Sequence, residues 1–290
     1  MELARARAIV TGAAGGLGSH FARELARAGA MVAAGDANPA GLRQLAAEAA
    51  DLPGRLFASR LDVTDEASVA AFAAFAAERL GVPNLLVNNA GIARDGLLVV
   101  GEDGAPSAAH APGNEHAPGN GQGTARSAAD VHGSGRGTAV KTLPLAQWRK
   151  VLDVNLTGQF LMTRAFAARV VAAGCRDAVV VNLSSIARAG NPGQSNYAAS
   201  KAGLDACTRT WALELARHGI RVGGVAPGVT ETPFLDGFSA EALARLAAGI
   251  PLGRLGRPAD VWQAVRFIVE CDFFTGRTVE VDGGAAMGTL

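Results

Sequence analysis

Short apolar runs alternate with longer amphipathic stretches along most of this chain, and that alternation predicts its architecture. Runs at 7–11, 30–36, 56–61, 84–88, 178–183, 220–225 and 277–281 read as strands, some of them apolar enough to be buried on both faces. Apolar positions at helical spacing fill 17–28, 39–50, 65–80, 145–173, 196–217, 239–248 and 258–270, with Asp65 as an acidic cap on the third of these. Seven strands joined by helical crossovers predict an α/β fold. They should form a doubly wound, seven-stranded parallel sheet with helices on both faces, since right-handed crossovers put them there.

Residues 101–140 interrupt the pattern. They hold nine glycines and three prolines, and no Ile, Leu, Met, Phe, Trp or Tyr. Such a stretch buries too little apolar surface to offset its ordering entropy, so a solvated, mobile loop is expected there. His110, His116 and His132 fall within it, at spacings that match no standard metal-ligand pattern. The expectation is a single domain over 1–290, interrupted by a low-complexity insert at 99–142.

Composition narrows the function. The chain has 290 residues, with 27 Lys+Arg against 26 Asp+Glu and a formal net charge of +1, which argues against a nucleic-acid partner. No apolar run reaches the ~18 residues of a membrane span. Cys175, Cys207 and Cys271 are odd in number and far apart, which fits buried thiols in a reducing compartment better than a disulfide framework or a metal site. No metal is expected. No secretory leader is legible, because the run from Ala8 to Gly12 already reads as the first strand, and a cytoplasmic address is expected.

Three motifs carry chemistry. The first is the glycine-rich turn from Thr11 to Gly18, including Gly12, Gly16 and Leu17, between a strand and a helix. Glycines let a backbone approach a pyrophosphate, which then sits at the positive end of the following helix, although a tight turn alone would read the same way. Asp36 ends the next strand, where a carboxylate accepts both ribose hydroxyls and repels a 2′-phosphate. The neighbours Ala13, Ala14, Ala37 and Asn38 supply no cation, so the pattern favours NAD over NADP. A capping role for Asp36 is the plainer alternative.

The second motif pairs Tyr197, the chain's single tyrosine, with Lys201 four residues on. That spacing places phenol and ammonium on one helix face. Bringing a phenol from its usual pKa near 10 to about 7 needs about 4 kcal/mol of phenolate stabilisation. A nearby cation acts in that direction. The third motif is Ser184-Ser185 at the carboxyl end of a strand, where doubly wound sheets bind ligands. One of these hydroxyls is expected to meet a substrate oxygen and the other to cap a turn.

Together these motifs resemble those of the short-chain dehydrogenase/reductase family in its single-domain form. The pieces run in the family's order: Thr11 to Gly18, Asp62-Val63, Asn88-Asn89-Ala90-Gly91, Asn155, Ser184-Ser185, Tyr197 to Lys201, Pro227-Gly228 and Asp282-Gly283-Gly284. The resemblance implies that Tyr197 is the general acid/base and that Lys201 holds the nicotinamide ribose and lowers the tyrosine pKa. It also implies that Ser185 orients the substrate oxygen and that Asn155 anchors a water relaying protons to Lys201. Asp62 and Val63 would contact adenine, Asn89 and Gly91 would lie along the cofactor, and Thr230 and Thr232 would grip its carboxamide and phosphates.

The chain departs from the family pattern in three places. Ser185 fits the family serine when counted from the strand, whereas Ser184 fits when counted back from Tyr197. Gly223 replaces the usual asparagine and is expected to loosen the turn before Pro227. The 64 positions from Gly91 to Asn155 exceed what the family needs, and the insert is the cause.

The expected activity is NAD-dependent interconversion of a secondary alcohol and a ketone. Stretches at 93–98, 193–197 and 251–256 resemble the 3-oxoacyl-carrier-protein reductase branch, which makes an NADPH-dependent thioester reductase one alternative. His218 stands where that branch often has a docking arginine, with Arg176 and Arg217 as possible substitutes. An NAD-binding interaction module without turnover is the alternative from another class. Phe234, Leu235, Phe238, Leu243 and Leu246 suggest a largely apolar small-molecule ligand, or else an ordinary buried helix stripe. The family analogy also implies a homo-oligomer, commonly a tetramer.

Overall fold

The alternation of side chains along each strand divides the core into two layers. The computed structural model describes residues 1–100 and 140–286. On β1 (Arg7–Thr11), Ala8 and Val10 point to one face of the sheet and Ile9 to the other. On β7 (Ala178–Leu183), Val179 and Val181 join the first layer and Val180 the second. The first layer is closed by α1 (Gly16–Arg27) and α8 (Pro258–Glu270) through Phe21, Leu25, Val265 and Ile268. The second is closed by α3 (Glu66–Leu80) and α5 (Gly158–Ala172) through Phe72, Leu80, Met162 and Phe166.

The other strands are β2 (Met31–Asp36), β3 (Arg55–Arg60), β4 (Leu85–Asn88), β8 (Ile220–Pro227) and β9 (Thr278–Val281). The seven form one parallel sheet, as the periodicity predicts, and the structure gives its order as β3-β2-β1-β4-β7-β8-β9. The order reverses between β1 and β4, which opens a crevice at their carboxyl ends. The remaining helices are α2 (Pro39–Glu48), α4 (Leu145–Leu152), α6 (Ser195–Leu215) and α7 (Ala240–Ala248).

Several local expectations change. The helix expected over 145–173 is α4 and α5 joined through a π-turn at Asp153–Thr157, and Asn155 sits fully buried inside that turn. Wide turns of this kind cluster at functional sites. The ends of the insert are ordered: β5 (Val99–Val100) and β6 (Lys141–Thr142) pair antiparallel. The loop expected between them, with His110, His116 and His132, lies outside the described residues. Gly223 loosens nothing. It lies within an unbroken β8, and a Cβ there would meet Ile268 at 2.7 Å, so glycine lets α8 pack close.

Candidate active site

The glycine-rich turn is shaped by close backbone approaches. Gly12 has φ 63°, and a Cβ on Gly18 would fall 2.1 Å from the Gly12 carbonyl oxygen, so α1 backs directly onto the turn. Gly15 is the N-cap of α1 and supplies no capping side chain. Leu17 packs against the first core layer. Asn89 pins the turn from β4, its amide donating to the carbonyls of Thr11 and Gly12 at 3.0 Å each. The Thr11 hydroxyl accepts from the backbone N–H groups of Asn89 and Ala90. The helix start and the close glycines fit a dinucleotide phosphate.

At the end of β2, Asp36 accepts the Ala14 N–H at 2.9 Å and the Asn38 N–H at 2.8 Å. It therefore caps the turn at the carboxyl end of β2. Sequence reasoning missed Arg60, which lies on β3 in register with Asp36. Asp62 accepts from the Thr64 N–H and hydroxyl, and these bonds hold its carboxyl below the usual range. Val63 is buried where Gly158 passes, since a Cβ on Gly158 would lie 2.7 Å from it.

Ser184, Ser185, Tyr197 and Lys201 come together where the ends of β4 and β7 meet α6. Ser184 is buried and donates to the Lys201 carbonyl at 3.3 Å. Ser185 caps the short turn Ile186–Ala189 by accepting the Ala187 N–H at 3.1 Å, and its hydroxyl faces the Tyr197 phenol closely enough to favour the phenolate. Lys201 is buried and donates to the Leu183 carbonyl at 2.6 Å. Burial lowers its pKa to about 8. The Asn155 side chain is bonded both ways to the Ile92 backbone, at 2.8 and 2.9 Å, and to Ser200 at 3.2 Å. A Cβ on Gly91 would lie 3.4 Å from the Asn155 side-chain oxygen and 3.6 Å from Lys201 Nζ.

The expected lowering of the tyrosine pKa is reversed in this arrangement. Burial lifts the Tyr197 phenol above its ordinary value, the Ser185 hydrogen bond opposes the rise, and the Asp95 carboxylate adds to it. Asp95 is another residue the sequence reading did not single out. Its loop is clamped by Gln147, which donates to the Arg94 and Asp95 carbonyls, and by Asn196, which donates to the Arg94 carbonyl. Gln194 donates to the Asp95 carboxylate at 2.9 Å.

After β8, Thr230 is buried and donates to the Gly228 carbonyl, while Thr232 and Pro233 press against Gly16. Thr232 and Gly16 thus meet although their sequence positions are remote. The apolar stripe expected to face a ligand is mostly a separate small core. Leu235, Phe238, Leu243 and Leu246 pack with Ile250 and Leu255, and only Phe234, 58% exposed, points outward. Arg176 donates to the Arg217 carbonyl at the amino end of the sheet, opposite Ser185. Among the described residues, no group of three His, Cys, Asp or Glu could hold a metal, and no helix is long and apolar enough to cross a membrane.

Comparison with known proteins agrees with this geometry. Residues 6–103 match the family model described as short chain dehydrogenase, and residues 123–286 match one described as Enoyl-(Acyl carrier protein) reductase. The chain is 35% identical over 279 residues to a 3-oxoacyl-(acyl-carrier-protein) reductase of Thermotoga maritima, covering 95% of this chain and 96% of that one. It is 37% identical over 280 residues to a cis-4-hydroxycyclohexanecarboxylate dehydrogenase of Sinomonas cyclohexanicum, covering 96% and 95%. A short-chain type dehydrogenase/reductase from Mycobacterium marinum superposes with a TM-score of 0.78 at 27% identity, covering 98% of both chains.

Proposed function

The chain belongs to the short-chain dehydrogenase/reductase family and is an oxidoreductase acting on hydroxyl or keto groups; within that class, we propose that it interconverts a secondary alcohol and a ketone with NAD. The observation that carries this reading is the meeting of Ser185, Tyr197 and Lys201 at the carboxyl ends of the strands. Asp36 at the end of β2 supports NAD, because its charge opposes a 2′-phosphate. Arg60 in the adjacent register favours a second reading, in which NADP is also accepted.

In the oxidation direction the Tyr197 oxygen takes the hydroxyl proton of the alcohol while the C–H bond breaks. Bound nicotinamide supplies the acceptor for that hydride and its two electrons, and a ketone is released. Ser185 holds the substrate oxygen beside the phenol. Lys201, buried 5.6 Å from the centre of the Tyr197 ring, would bind the nicotinamide ribose, and its cation together with that of oxidised nicotinamide would offset the burial that raises the phenol. Asn155 holds the loop through Ile92 next to Lys201 and anchors the water of a proton relay. Gly12, Gly16, Leu17, Gly18, Asn89, Gly91, Asp62, Val63, Thr230 and Thr232 line the path of the cofactor.

The substrate is a small hydroxy or keto compound. The Thermotoga relative supports a 3-oxoacyl thioester, whereas the Sinomonas relative supports a cyclic hydroxy acid. With four of the five apolar residues of the segment after β8 committed to their own core, Phe234 is left to carry an apolar contact. The assembly is a homo-oligomer, with the exposed Phe160 and Leu213 on α5 and α6 available to a neighbouring copy.

The test is nicotinamide absorbance with NAD and NADP in parallel, against 3-hydroxyacyl thioesters, cyclic hydroxy acids, hydroxysteroids and small diols. NAD-linked turnover that falls by about 10²-fold or more in Tyr197→Phe supports the reading. Turnover undiminished by that change overturns it. Cofactor binding with no turnover on any compound would favour an NAD-binding interaction module.

A further inference from the structure

The turn after β7 carries a charged network that the proposed chemistry leaves unused. Arg188 lies three residues after Ser185, and its side chain is 18% exposed. Its guanidinium donates to Glu280 on β9 at 2.7 Å and to the Ser185 carbonyl at 3.4 Å, and lies 3.8 Å from Asp205 on α6. Asp205 is 14% exposed and follows Lys201 by four residues, so helix geometry puts it on the same face as Tyr197 and Lys201. It also accepts from Arg209 on α6 and from the Thr278 hydroxyl on β9. One guanidinium thus joins the serine turn, the tyrosine helix and the edge strand.

The backbone ties of that turn are local or lead to the Asp95 loop, with the Gly190 N–H donating to the Ala187 carbonyl at 3.0 Å and the Gly193 carbonyl accepting the Gly96 N–H at 2.8 Å, whereas Arg188 links it to β9. Gly190 and Gly193 both have positive φ, at 112° and 77°, and a Cβ on either would meet nothing within 4 Å. A solvated surface ion pair contributes little. Here Arg188 and Asp205 are mostly enclosed while Glu280 is 48% exposed, and the guanidinium engages both carboxylates and a carbonyl at once, which gives it directional strength.

We propose that Arg188 is a positioning residue: by tying the Ser185 turn to Asp205 and Glu280, it holds the Ser185 hydroxyl against the Tyr197 phenol. The proposal rests on the reading of Ser185 and Tyr197 as the acting pair. Small displacements matter at such a site, because acid/base transfer depends on hydrogen-bond reach.

Tyr197 is the chain's single tyrosine, which makes the test direct. The full chain is labelled at the tyrosine ring carbon bearing the hydroxyl, and its one resonance is followed at neutral pH without added ligand. Ser185→Ala is expected to displace it. Arg188→Ala should displace it in the same direction by roughly half or more as much, Arg188→Lys should largely restore it, and the double variant should coincide with Ser185→Ala. If Ser185→Ala moves the resonance and Arg188→Ala does not, or if the double variant moves it further, the positioning role is overturned while the pair stands. If Ser185→Ala leaves it in place, the pair itself fails and the proposal fails with it. Circular dichroism checks the fold of each variant. Should Arg188→Ala not fold, Glu280→Gln weakens the clamp from its other end and carries the same expectation.

Discussion

The Lys201 ammonium lies 5.6 Å from the centre of the Tyr197 ring, yet its hydrogen bond goes to the Leu183 carbonyl at the end of β7. Helix spacing brings the cation to the phenol, and the strand end that delivers Ser184 and Ser185 holds it there. The cost is a buried charge, which draws the lysine pKa down to about 8.

That cost has a predictable pH dependence. The folded-state pKa lies below the unfolded value, so between about 8 and 10.5 the unfolded chain binds more protons and stability rises with pH. Below that window the buried cation costs stability in full. Lys201→Met is therefore expected to be about 2 kcal/mol more stable than the parent at pH 7, after allowing for the lost hydrogen bond, and to flatten the rise above pH 8. Urea unfolding across that range checks it. A variant less stable at pH 7, with the rise intact, would contradict the assignment.

Asp36 caps the turn through the Ala14 and Asn38 N–H groups, and under the proposed function it would also oppose a 2′-phosphate. Asp36→Ala leaves Arg60 as the charged group in register at that end of the crevice. The ratio of NADP to NAD affinity is expected to rise by about tenfold or more, equivalent to ~1.4 kcal/mol. Calorimetric titration with both cofactors measures it, and an unchanged ratio would remove Asp36 from cofactor choice.

Asn88 and Asn182 face each other in register across β4 and β7, and both are fully buried. Asn88 donates to Thr163 at 2.8 Å and to Asn182 at 2.9 Å, while Asn182 donates to Thr208 at 2.9 Å. Asn182→Ala strips Asn88 of one acceptor in the middle of the sheet and is expected to cost about 2–3 kcal/mol in chemical unfolding. A loss below about 0.5 kcal/mol would show that the ladder contributes nothing net.

Two glycines separate cofactor binding from folding. A Cβ on Gly16 would press on Thr232 and Pro233 at 2.7 Å, so Gly16→Ala should displace the segment after β8 and weaken NADH binding by about tenfold with little change in stability. A Cβ on Gly18 would meet the Gly12 carbonyl at 2.1 Å, and Gly18→Ala should cost about 1–3 kcal/mol of stability, because backbone there must shift. Fluorescence titration and thermal unfolding together read both, and equal stability losses would contradict the distinction.

The seven strands, the glycine turn, Asp36 and the Tyr197–Lys201 face were all legible in the amino-acid order. Each of these depends on local periodicity, on backbone freedom or on a spacing of four within one helix. Features that join distant segments came from the three-dimensional packing. It separated Ser184, turned to the Lys201 carbonyl, from Ser185, turned to Tyr197. It set Arg60 beside Asp36 and Asn182 beside Asn88, because parallel register is fixed by crossovers and core packing rather than by neighbouring residues. It committed most of the apolar stripe after β8 to a core of its own, which periodicity cannot distinguish from a ligand-facing surface. The direction of the Tyr197 shift was likewise decided in three dimensions, since burial depends on everything that packs around the ring.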